Sequence, residues 1–310
     1  MSIYQLSWHE TWVLSTLLHL PIQQGSVLGE WLGNQDAPST EEIETWIPQA
    51  VETLSSKGYY HSKKSLSAEL TESLMLAAVG QKSIYTTLRT NIEAFSTHFL
   101  LAGSGVVQYG VIDEQFILHS PLQWEETLAS LLPDWLSIEP GQSAKINISQ
   151  SAFLLFKQAC LQRDIAYILN EDGSETFQQS ELETAFARDN GWIDVFSALG
   201  ITGAESLDKI TIQAQLDSLL SIGYLESANR SRLQIGAAGA ALADSLSDPE
   251  QVSITIGFTR FQPEQMTTSV FLIGKNHLFR LDFLGEIIEI SQMQSRLEAL
   301  DWMRTLVSAY

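Results

Sequence analysis

Few residues in this chain of 310 stand at spacings that perform chemistry. His9-Glu10 opens the pattern of a zinc-binding metalloprotease helix, but the place of the second histidine is held by Val13. The six histidines, at 9, 19, 61, 98, 119 and 277, show no ligand spacing and read as exposed or structural residues. Asn170-Glu-Asp172-Gly173-Ser-Glu175 echoes part of a calcium loop, yet its first ligating place falls on Ile168, which has no oxygen to offer. Ser104, in Ala102-Gly-Ser-Gly105, lacks the frame of a nucleophile elbow and is assigned to a hairpin turn. Gly236-Ala-Ala-Gly239 is neither a Walker sequence nor a dinucleotide fingerprint, so its small residues predict close packing instead. Cys160 shares a helical face with Phe153 and Phe156 and reads as a buried, inert thiol, with only Lys157 and Arg163 near enough to lower its pKa. The chain is therefore expected to be no enzyme. No catalytic, cofactor-binding or metal-binding residue is assigned, and no cofactor is expected.

The eight tryptophans offer binding chemistry of another kind, because a large ring can anchor a partner protein. Trp46, Trp124 and Trp302 fall on apolar helix faces and are assigned to the core. Trp31 and Trp135, beside Gly/Asn and Pro/Asp segments, are the candidates for contact with a partner.

Composition narrows the partner. With 17 Lys+Arg against 37 Asp+Glu, the formal net charge is −20. Nucleic acid and anionic membranes both require clustered basic residues, so neither is an expected partner. A lone cysteine cannot form an internal disulfide, and no secretory pattern or membrane-length apolar run is visible. A cytoplasmic location is expected, where the formal glycosylation acceptor Asn147-Ile-Ser149 is never modified.

The elements that must position these residues occur twice. Val51-Glu-Thr-Leu-Ser-Ser-Lys-Gly58-Tyr59 is answered by Leu216-Asp-Ser-Leu-Leu-Ser-Ile-Gly223-Tyr224, an offset of 223 − 58 = 165. Phe99-Leu-Leu-Ala-Gly103 matches Val270-Phe-Leu-Ile-Gly274 at 274 − 103 = 171, and the same register continues through Phe116–Ser120 against Ile287–Ser291. Thr40 is read as the N-cap of a helix stopped by Gly58, and a short helix follows over Ser67–Val79. Strands are predicted at Ser83–Leu88, Thr97–Ala102, Val106–Ile112 and Gln115–Ser120, then a helix opened by Pro121. In the second half they are predicted at Val252–Phe261, Thr268–Gly274, His277–Phe283 and Glu286–Ser291, then a helix over Gln294–Val307. Ile148-Ser-Gln-Ser-Ala-Phe resembles Leu6-Ser-Trp-His-Glu-Thr, and a further helix starts at Ser180.

The expected fold class is α+β: an antiparallel sheet with helical bundles, internally duplicated with pseudo-two-fold symmetry. The two units are 1–142 and 143–310, packed as one body so that half-sheet edges are hidden.

A helix ending in Gly-Tyr before strands also suits a winged helix. That would make the chain an acidic tandem regulator or scaffold acting through protein contacts, since Glu41–Ser56 has no Lys or Arg before Lys57. A second resemblance covers more of the chain. A helix after Leu6-Ser, one ending in Lys57-Gly-Tyr-Tyr60, one ending in Leu74-Met-Leu-Ala-Ala-Val79, a meander, and a helix ending in Leu131-Leu-Pro133 resemble the first half of the EspG family. The end, from Phe283-Leu-Gly-Glu-Ile-Ile-Glu-Ile-Ser-Gln-Met-Gln294, is similar to that family's second half. The family's Asp-Thr and Gly-Arg-Tyr residues are replaced by Ile273-Gly-Lys-Asn-His-Leu-Phe-Arg280, so no residue role is carried over. The resemblance implies a cytosolic, non-enzymatic chaperone of type VII secretion that binds a helical client of the PE/PPE kind, a secreted heterodimer, before export.

Overall fold

A computed structural model of the protein describes residues 2–23, 25–61, 65–80, 82–89, 94–102, 105–132, 138, 145–170, 174–188, 209–247, 252–261, 264–274 and 276–309. The first half runs β1 (Ile3–Leu6), α1 (Trp8–Leu17), α2 (Val27–Gly33), α3 (Thr40–Ser56), β2 (Tyr60–His61), β3 (Ser65–Leu66) and α4 (Ala68–Val79). It continues through β4 (Lys82–Arg89), β5 (Ala94–Ala102), β6 (Gly105–Ile112), β7 (Gln115–His119), β8 (Leu122–Gln123) and α5 (Trp124–Leu131). The second half runs β9 (Lys145–Ser149), α6 (Gln150–Leu169), β10 (Phe177–Gln178), α7 (Gln179–Arg188), α8 (Lys209–Ser221), β11 (Leu225–Ser227), β12 (Arg232–Ile235) and α9 (Ala240–Ser247). It ends with β13 (Val252–Phe261), β14 (Glu264–Ile273), β15 (Leu278–Leu284), β16 (Ile287–Gln292) and α10 (Arg296–Ala309). The α+β class is as the sequence predicts, and every ladder is antiparallel.

Local rules explain the helix ends. Ser39, one residue before the expected Thr40, caps α3: its hydroxyl accepts from the Glu42 amide while the Glu42 carboxylate accepts from Ser39 N–H. Gly58 and Gly223 both have φ of 73°, the left-handed region in which an L side chain is strained. At each the next residue's amide bonds back across the turn, Tyr59 to Leu54 and Tyr224 to Leu219, at 2.9 and 3.0 Å. These paired Schellman closures keep the predicted offset of 165.

One sheet of eleven strands joins the halves, in the order β1-β7-β6-β5-β4-β13-β14-β15-β16-β9, with β8 paired to β6. The order reads alike from either edge: β4 and β13 meet at the centre, and β1 and β9 lie outermost. The register corrects one expectation. Leu101 faces Val106 and Ile273 faces Leu278, so the equivalence across the sheet is 278 − 106 = 172 and not 171. The inward-facing residues decide the matter, because a slip of one residue turns every side chain to the other face. At 172 the buried pairs Phe116/Leu118 and Ile288/Ile290 superpose.

The pleat sends alternate residues to two different cores. In the first half Leu100, Val107, Phe116 and Leu118 pack under α1 to α4, and in the second Val270, Leu272, Phe279 and Ile288 pack under α6 to α9. On the opposite face Phe99 and Leu101 join Phe271 and Ile273 beneath α5 and α10, a core drawn from both halves. Those two helices lie side by side, tied at both ends: Arg296 donates to the carbonyls of Ala129 and Leu132 at the end of α5, and Arg304 donates to Glu125 at its start. Close approach explains the glycine pair at 236 and 239. A Cβ on Gly236 would lie 2.2 Å from the Gly223 carbonyl oxygen, and one on Gly239 would press on the Phe156 ring at 3.0 Å.

Candidate functional site

α6 differs in length from its first-half counterpart. Ser149 caps it as Ser7 caps α1, each hydroxyl accepting the amide three residues on. From that shared start α1 ends at Leu17, equivalent to residue 159 at this offset of 142, while α6 continues to Leu169. Its first part is buried on nearly all sides, with Phe153, Leu155, Phe156 and Ala159 inside the second-half core. The last turns are not. Leu161, Ile165 and Ile168 follow at i, i+4 and i+7, one stripe of a helix, and stand 45%, 39% and 78% exposed. Tyr167 and Leu169 complete an apolar end, 61% and 73% exposed. Scattered exposed leucines are ordinary, whereas these apolar residues adjoin one another on one helix end.

The expected partner-contact residues are elsewhere. Trp31 is a correction: it is buried in the first-half core, stacked on Phe116 at 5.7 Å, with its indole N–H directed at Thr11 Oγ1. The neighbouring glycines do not expose it, because Val27, Leu28, Trp31 and Leu32 turn one face of α2 inward. Trp135 lies outside the described residues. Trp46 and Trp302 are half-buried, the first edge-on to His9 and the second covering the Arg280 guanidinium at 4.5 Å.

Two clefts are lined by first-half residues, away from the stripe. One of about 390 Å³, between α1 and α3, is lined by His9, Glu10, Trp46 and Lys57. Its ammonium is already committed: Lys57 Nζ donates to both Glu10 oxygens at 2.9 and 2.8 Å and to the Gln5 carbonyl at 3.0 Å. The other, about 250 Å³ beside Trp12 and Gly29, is mostly apolar. Among the described residues no three His, Cys, Asp or Glu side chains cluster as metal ligands do, and no helix is long and apolar enough to cross a membrane.

The chain is similar to a secretion chaperone. The type VII secretion system chaperone EspG5 of Mycobacterium tuberculosis, solved in complex with a PE25–PPE41 dimer, aligns over 96% of this chain and 93% of its own. The identity is 11% and the TM-score 0.43. No protein-family model and no curated protein sequence matches.

Two buried groups complete the chemistry. Cys160 is fully buried, and desolvation pushes its thiol up to about 12 against the weaker pull of Lys157 and Arg163. A thiol reagent should leave native protein unmodified and react with one equivalent after denaturation, as absorbance of the released chromophore would show. On the sheet face opposite α6, Arg280 Nε lies 2.8 Å from Asp282 Oδ2, a charge contact more than an aligned hydrogen bond. Ser269 donates to the other Asp282 oxygen at 2.6 Å, and Glu289 accepts from Lys145 at 2.8 Å and from Arg280 at 3.4 Å. Burial raises the Asp282 carboxyl above its usual range, while Ser269 and Arg280 pull it back. At the equivalence of 172, Arg280 and Asp282 stand where the first half has Gln108 and Gly110, so this ionic cluster belongs to the second half alone.

Proposed function

We propose that this protein is a non-enzymatic cytoplasmic chaperone or adaptor, which binds a helical secretion client of the PE/PPE kind before export, and that its two halves arose by duplication. The observation that carries the reading is the apolar stripe Leu161–Ile165–Ile168, displayed where the second half outruns the first. A helical partner laid along it would bury its own apolar i, i+4, i+7 face in the same geometry. The element order that resembles the EspG family supports the same reading. Co-expression with small helical proteins encoded beside this gene tests it: a stoichiometric complex is the expected result, and failure across all such neighbours overturns it.

One further observation favours a second reading. β10, β12 and β11 form a three-stranded sheet in that order around α7 and α8, which is the layout of a winged helix. Its exposed α8 residues include Gln213 and Asp217, a poor match for phosphates but serviceable for a protein partner. Specific DNA binding in a low-salt mobility shift would favour the regulator over the carrier.

A further inference from the structure

The two outer edges of the sheet are treated differently. In β1 the residues whose backbone faces outward are Ile3 and Gln5, and three of their four outward groups are occupied. Tyr59 Oη donates to the Ile3 carbonyl at 3.3 Å and accepts from Gln5 N–H at 3.1 Å, while Lys57 Nζ donates to the Gln5 carbonyl at 3.0 Å. The amide of Ser7 is closed by the Glu10 carboxylate at 2.7 Å. Side chains of the Schellman segment thus seal this edge, which would otherwise template another strand.

The other edge lacks every one of those devices. Gln150 N–H donates to the Glu286 carbonyl at 2.9 Å, which sets the phase of the ladder: Ile148 and Ile146 bond inward to β16, and Lys145, Asn147 and Ser149 face out. The residue equivalent to Lys57 is Ile222, and Tyr224, equivalent to Tyr59, is buried against Phe156. Ala152 replaces the Glu10 of the capping box. Among the described residues nothing bonds the Lys145 carbonyl, either backbone group of Asn147 or the Ser149 amide, and Asn147 is exposed. Lys145, the one charge that would blunt the edge, is drawn across the sheet face onto Glu289.

We propose that β9 pairs antiparallel with β9 of a second copy, about a two-fold axis at Asn147. The register is self-complementary. Asn147 meets Asn147 and exchanges two hydrogen bonds, and each Ser149 amide meets a Lys145 carbonyl, giving four bonds across the seam. On the helix face Ile146 lies opposite Ile148, and on the other face Lys145 lies opposite Ser149, so no charge opposes its like across the seam. A seam of five residues, about 17 Å long, makes a weak dimer, and two bodies of charge −20 repel each other. Association therefore strengthens with concentration and with salt, which shortens the range of that repulsion.

The test is sedimentation velocity on the full chain over a range of concentrations at low and high salt, beside Asn147→Pro. An edge strand tolerates proline where the lost N–H faces outward and no ladder bond to β16 is broken, so thermal melting of the dilute variant matches the parent while dimerisation weakens at least about tenfold. Amide exchange at Asn147 that slows with concentration in the parent is the second expected signature. A monomer at every concentration and salt, or a dimer that ignores the proline, overturns the proposal.

Discussion

Asp282→Ala should destabilise the protein by about 3 kcal/mol, because it leaves the Arg280 guanidinium buried with its charge largely uncompensated. Arg280 is 6% exposed and sealed on one side by the Trp302 ring, so water cannot replace the lost carboxylate. Glu289 at 3.4 Å is a poor substitute, being already shared with Lys145. Chemical denaturation followed by far-UV dichroism reads the loss as a lower midpoint at unchanged slope. The paired variant Arg280→Met/Asp282→Leu should recover most of it, since a buried ion pair replaced by apolar groups of similar volume is often neutral or stabilising. An Asp282→Ala midpoint equal to that of the parent would show that this cluster contributes nothing to the fold.

Ile165→Glu combined with Ile168→Glu should abolish client capture while leaving the fold intact. Both side chains are exposed, so the free protein loses little, within about 0.5 kcal/mol. In a complex each would be covered, and burying a side chain of that size is worth about 1.5–3 kcal/mol. Two carboxylates placed in that contact should weaken binding at least about a hundredfold, read by titration calorimetry against the co-purified client. Full retention of binding would move the contact away from α6.

The sequence exposes what repeats and hides what differs. The Gly58-Tyr59 and Gly223-Tyr224 closures are legible because a positive φ demands glycine, and β13 falls on its expected span, Val252–Phe261. The slip from 172 to 171 arose because Gly103 and Gly274 invite alignment in the sequence, although a residue without a side chain constrains register less than the buried faces do. β1 and β9 are too short for a periodic signal, and α2 is only seven residues long. The stripe was within reach: Leu161, Ile165 and Ile168 lie off the face that carries Phe153, Phe156 and Cys160. Apolarity all around a helix reads as deep burial, however, unless one knows where the core stops. Trp31 misled because neighbouring glycines suggest a loop, whereas they sit in a helix packed on the sheet.

The pairing of β4 with β13 also has a consequence for the order of events in synthesis. Thr87 and Thr255 face each other across that seam, 255 − 87 = 168 residues apart. The first half therefore leaves the ribosome with β4 as an open border and part of the shared core still missing. For the time needed to make the rest, about 10–30 s at 5–20 residues per second, this chain is itself an incomplete sheet in need of a partner. It is released from that condition only by its own C-terminal half.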